Sequence, residues 1–290
     1  MSLANRIAPA VAAVLCWAAF PTAARAQVVF PPDASYTALR CGAAPMRDGY
    51  QDQAGALDER DLVGDAAGPA GLRASDATNL YLRMRLDRDP APGAAVRGFA
   101  WGMQFDLDDD PSDYELMVTV DGLAGAAGVV SIFRNLTTTL RDDPADPPDT
   151  PAVATYPFAM AARTVAAPGP TFGGNTDFFL DFAVPWSQLT PLGLDRTTTT
   201  RVWVASSSTV NGLDGDVACH DGAGGPARLG ATASDQTTGD PAMDPGPGPG
   251  GTGRLEGGGG CAAGGAGGAG SPVAALAGAL VLLAHRRRRR

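Results

Sequence analysis

Histidine is almost missing from this chain. There are two, His220 and His285, and only His220 precedes the last thirty residues. A single imidazole placed beside Cys219 excludes both a Ser-His-Asp triad and a His-rich zinc site. Lysine is absent altogether: all 22 basic residues are arginine, against 31 acids. Seven of the arginines, Arg6, Arg25 and those at 286–290, lie in the two ends, which hold no acid. The part between carries 15 arginines and 31 acids, a net charge of −16. A surface of that sign repels nucleic acid and anionic lipid and suits cations. Phosphate-loop and dinucleotide fingerprints are also missing; the glycines at 250–253 and 257–260 do not stand between a strand and a helix. Aspartates suffice for a two-carboxylate glycosidase, but one domain of this size leaves little room for such a cleft. The expectation is a protein that is not an enzyme.

A sustained 3.6-residue period is lacking as well. Period two takes its place. Leu80, Leu82, Met84 and Leu86 point one way and Tyr81, Arg83 and Arg85 the other, which reads as the wet face of an edge strand. Phe99, Trp101, Met103 and Phe105 form a second run, and Tyr114, Leu116, Val118 and Val120 a third. Residues 128–134, 177–184 and 201–205 give three more. Turns rich in Asp, Gly and Pro separate them. The pattern predicts an all-β fold, a single antiparallel β-sandwich of jelly-roll or immunoglobulin-like type, over residues 27–221. From 222 to 260 large apolar residues thin out among Gly and Pro, the composition of a flexible stalk.

The ends carry an address. Residues 1–26 hold one early charge, an apolar run, a break at Pro21 and the small-x-small pattern Ala24-Arg25-Ala26, the layout of a secretory signal peptide cleaved after Ala26 by signal peptidase. Residues 261–290 begin at Cys261, continue through Gly and Ala into an apolar segment at 273–284, and finish on five arginines. Counted from Cys261, 24 residues lack formal charge, enough to cross a bilayer at about 1.5 Å per residue if helical. The arginines hold the C-terminus on the cytoplasmic side. This tail resembles the C-terminal sorting signals of bacterial surface proteins, most closely the MYXO-CTERM type of myxobacteria. The resemblance implies removal of the tail near Cys261 by a membrane sorting protease, with that cysteine then carrying the anchor. The expected location is the outer cell surface.

Four phrases in the middle, ERDLVGDAAGPAGLRASDATNLYLRMRLD, WGMQFDLDDDPSDYELMVTVDG, FFLDFAVPWSQLTPLGL and VWVASSSTVNGLDGD, resemble successive strands of bacterial surface modules. Their layout is similar to the DOMON and family-nine carbohydrate-binding β-sandwiches, in which a strand ending in PW leads into a short helical turn, as at Val184-Pro185-Trp186-Ser187. The likeness covers about 58–216. It implies the fold; the group includes sugar-binding, haem-binding and structural members.

Cys16 leaves with the signal and Cys261 with the tail, so Cys41 and Cys219 remain, at opposite ends of the expected domain. In an oxidising compartment they pair as a disulfide; two free thiols, or a metal site with His220, are the alternatives. The densest feature is the turn from Asp106 to Glu115, which holds five aspartates and one glutamate in ten residues. Asp106, Asp108, Asp110, Asp113 and Glu115 can wrap oxygen ligands round a calcium ion. The turn lacks the glycine and flanking helices of an EF-hand, and a solvated acidic turn is the other reading. Asp214-Gly-Asp216 is a second, weaker acidic loop. Aromatic rings can cover the apolar face of a sugar. Trp101 shares a face with core residues, whereas Trp186, Trp203 and Tyr81 are candidates for ligand contact, with packing as the alternative for each. The functional expectation is a non-catalytic module that binds an extracellular glycan or surface protein, with calcium as its one candidate cofactor. A structural or adhesive coat protein is the rival and a glycoside hydrolase the third reading.

Overall fold

Each of the six period-two runs becomes a strand, because alternation lets one side of a pleated segment enter a core while the backbone pairs laterally. The structure, a computed structural model, describes residues 27–53, 57–220 and 226–234, with the backbone of 237–238. One sheet has the order β1 (Thr37–Ala38), β4 (Gly71–Ser75), β5 (Asn79–Leu86), β11 (Phe178–Pro185), β10 (Ala162–Ala166). The other runs β13 (Asp216–Val217), β12 (Thr199–Ser207), β6 (Ala100–Asp106), β7 (Leu116–Asp121), β8 (Val129–Arg134), β9 (Ala154–Pro157), with β14 (Thr237–Thr238) also on β12. A short ribbon pairs β2 (Arg40–Cys41) with β3 (Ala44–Pro45). Every one of these pairings is antiparallel. The helices α1 (Phe158–Ala161), α2 (Trp186–Leu189) and α3 (Leu229–Thr232) are one turn each. The chain is mostly β, as its periodicity predicts.

Register explains the core. Leu80, Leu82 and Met84 lie opposite Val184, Phe182 and Leu180, and Met103 lies between Val118 and Val204. Cross-strand partners share a face, so these residues of both sheets join one apolar cluster with Trp101, Phe105 and Leu116. The disulfide is formed: Cys41 and Cys219 are bonded, their Cα atoms 5.8 Å apart across 178 positions. It ties the β2–β3 ribbon to the end of β13.

The opposite faces of both sheets are covered too, which corrects two expectations. β5 is the centre of its sheet, flanked by β4 and β11, not an edge. Arg83 and Arg85 are buried, each 1% exposed, on Asp181 of β11 and on Asp177, the residue just before that strand. The N-terminal segment lies over them: the Arg83 guanidinium sits 3.8 Å from the ring centre of Tyr36, and Arg163 lies over Phe30. On the second sheet, Trp203, Ala205 and Met117 form a separate apolar cluster with Tyr114, Leu213 and Leu229. Residues 226–234 fall within the expected stalk, yet Leu229 is fully buried, the Val202 amide donates to Ser234 Oγ at 2.8 Å, and the Ser234 amide donates to the Val202 carbonyl at 2.9 Å. The signal peptide with Ala26, most of the stalk, and the tail with Cys261 and the 273–284 segment lie outside the described residues. Among the described residues no helix is long and apolar enough to cross a membrane.

Candidate functional site

The acidic turn joins β6 to β7, and hydrogen bonds spend much of its charge. Asp106 is 1% exposed; its Oδ1 accepts from the amides of Asp108 (3.0 Å) and Asp109 (2.7 Å), and its Oδ2 from Arg201 (2.8 Å). Arg201 also reaches Asp109 at 2.5 Å. Glu115 accepts from the Leu107 amide at 2.7 Å, and burial pushes its carboxyl up to about 7, with neighbouring aspartates adding to the shift. Asp106, Asp108 and Glu115 each place a carboxylate oxygen within 4.8 Å of the others. The other two expected ligands face elsewhere. Asp110 takes the hydroxyl and amide of Ser112 and the Arg141 guanidinium. Asp113 accepts the Thr138 hydroxyl at 2.8 Å. The turn therefore has three converging carboxylates, one of them already paired with an arginine.

The aromatic candidates separate by environment. Trp203 has no exposed surface, and its indole N–H donates to the Leu229 carbonyl at 2.6 Å. α3 and its flanks cover the face of the sheet on which it lies. Trp186 is 6% exposed in the main core and donates to the Asp76 carbonyl at 3.0 Å. Tyr81 is 3% exposed; its hydroxyl donates to Asp76 Oδ2 at 2.7 Å. Both rings thus brace Asp76, whose other oxygen accepts from the amides of Thr78 (2.7 Å) and Asn79 (2.8 Å). Partial burial pushes the Asp76 carboxyl up, but these hydrogen bonds outweigh it and hold the group below the usual carboxylate range.

Asp76 forms one wall of a groove of about 720 Å³. Four segments line it, 27–29, 76–81, 156–161 and 183–188. Val28, Met160, Ala183 and Pro185 supply carbon surface. Thr78, Asn79, Ser187 and Gln188 supply hydroxyls and amides, which both donate and accept. β5 and β11 carry the two sides because Asn79 pairs with Pro185 at the end of their ladder. Of the expected ligand residues, Tyr81 lines the groove, Trp186 supports it from behind, and Trp203 belongs to the other sheet. Asn79 and Gln188 escaped the sequence reading because no spacing links them; a groove assembled from four segments leaves no local motif. Comparison with protein-family models, with curated proteins and with solved structures gave no match.

Proposed function

We propose that this chain is an exported, surface-anchored binding module on a β-sandwich scaffold, and that its groove at the β5–β11 end takes a saccharide. One observation carries the reading: the groove combines an apolar lining with uncharged amides and hydroxyls. That mixture suits a ligand with carbon faces and many hydroxyls, and its volume falls in the range of small-molecule sites. Recognition rests on hydrogen bonds from Asn79, Gln188 and Ser187 rather than on a stacked ring, since Tyr81 is nearly covered. The reading is non-catalytic. Among the described residues Asp76 is the only carboxylate lining the groove, and its hydrogen bonds favour the ionised form, whereas glycoside hydrolysis needs an acid and a second carboxylate.

Export and anchoring rest on residues 1–26 and 261–290, and the Cys41–Cys219 disulfide supports an oxidising compartment. Calcium enters as an ion for Asp106, Asp108 and Glu115. None of these lines the groove, so the ion would order the turn without touching the sugar. The test is binding of the purified chain to an array of polysaccharides, with calcium and again with chelator. Binding in both conditions is expected. Silence in both would sink the glycan reading and favour a coat protein.

A further inference from the structure

A second acidic group lies away from both the turn and the groove, where the loop after β3 meets β13. Asp48, Asp52 and Asp216 each offer a carboxylate oxygen, all within 4.8 Å of one another. Asp48 and Asp216 are buried and Asp52 half-buried. Asp216 has no exposed surface. Its Oδ2 accepts from the Leu62 amide at 2.6 Å, but no N–H or O–H of a neighbouring group donates to its Oδ1. A buried carboxylate oxygen left in that state costs several kcal/mol unless something positive meets it. Asp48 itself is held in place by its backbone, which exchanges both hydrogen bonds with Gly64 at 3.0 Å.

We propose that Asp48, Asp52 and Asp216 bind one divalent cation, calcium in preference to magnesium, which clasps the 48–52 loop to β13. Oxygens at about 2.3–2.6 Å from one calcium ion stand at most about 5 Å apart, which the observed group satisfies; magnesium dehydrates reluctantly and is seldom held by protein carboxylates alone. The half-buried Asp52 supplies the entry side. The Cys41–Cys219 disulfide joins the same two regions of chain, since Cys219 lies three residues beyond Asp216 and its amide donates to the Arg47 carbonyl. The ion would be a second, reversible clasp beside a covalent one. The competing occupant is a proton shared between Asp48 and Asp216, which approach closely enough to hydrogen-bond. The site is independent of what the groove binds.

The experiment is calcium titration calorimetry with parallel thermal melts on the purified full-length chain after chelation. Asp216→Asn, Asp52→Asn and Asp108→Asn serve as variants. The proposal expects an ion, separate from any held by the acidic turn, whose affinity falls at least about tenfold in Asp216→Asn and Asp52→Asn, whereas Asp108→Asn removes only binding at the turn. It also expects Asp216→Asn to melt no lower than the parent in chelator, while losing the rise in Tm that calcium gives the parent. That pair of results separates a ligand from a residue needed only for folding. A parent that binds no calcium, and melts higher only on acidification, would overturn the proposal in favour of the shared proton. An ion lost in Asp108→Asn and kept in Asp216→Asn would overturn it in favour of the acidic turn.

Discussion

Asp181 has no exposed surface and accepts from two guanidinium groups, Arg83 through Nε (2.6 Å) and a terminal nitrogen (2.9 Å), and Arg163 (2.8 Å). The fork geometry makes this the strong, bidentate kind of pair. Removing the carboxylate takes away the bidentate partner of the buried Arg83, which lies between Tyr36 and Phe179, and leaves it the exposed Asp33 at 2.9 Å. Asp181→Ala should therefore cost about 3–5 kcal/mol, read as a lower urea midpoint at unchanged slope; a change under 1 kcal/mol would contradict the pairing. Trp203→Ala should cost a similar amount, about 3–5 kcal/mol, through the cavity it opens in the second apolar cluster. It should leave ligand binding untouched. Trp203 has the opposite parity to Val202 and Val204 and lies on the face away from the main core. What parity could not show is that α3, 26 positions later, covers that face.

At the scale of elements, the six long strands were legible because their apolar residues recur at every second position over five or more residues. β4 and β10 were not, since GLRAS and ARTVA hold too few large apolar side chains to show a period. The N-terminal segment over β5 was hidden for a related reason: VVFPPDASY has two prolines and no period at all, yet Phe30 and Tyr36 pack on the sheet. The acidic turn stood out as a run of one residue type. Its counter-ion did not, because Arg201 is 95 positions from Asp106. The buried Asp61 and the half-buried Glu115 give this layer a pH signature. Burial, followed in effect by nearby aspartates, pushes Asp61 up to about 7, against a hydrogen bond from Gln51 that lowers it; Glu115 is pushed up to about 7 in the same way. Raised carboxyls keep their protons in the folded state while the unfolded chain releases them from about pH 4 upward. Their contribution is therefore full below about pH 4, is lost as pH rises to about 7, and is flat above. In chelator, Tm should fall over that window, and the double variant Asp61→Asn, Glu115→Gln should flatten the fall. An equally steep fall in the double variant would assign the effect elsewhere.

Across the whole molecule, the disulfide closes a loop of 178 positions, which on the chain-entropy model contributes about 5 kcal/mol. Reduction, or Cys41→Ser with Cys219→Ser, should lower the unfolding midpoint accordingly and leave the strand content of the folded state unchanged by circular dichroism. That pair was legible from the sequence alone, because setting aside the expected signal and tail leaves two cysteines in a chain expected to be exported. The groove was not, because its lining comes from segments that only the finished β5–β11 ladder and the N-terminal segment bring together. The account therefore stands or falls on that groove. The measurement to make is saccharide binding by the parent chain beside Ser187→Trp, which places a bulky ring where an exposed hydroxyl now lines the groove. Binding by the parent and its loss in Ser187→Trp, with both proteins melting alike, is the predicted result. Binding that survives the blocked groove would contradict the assignment of the site.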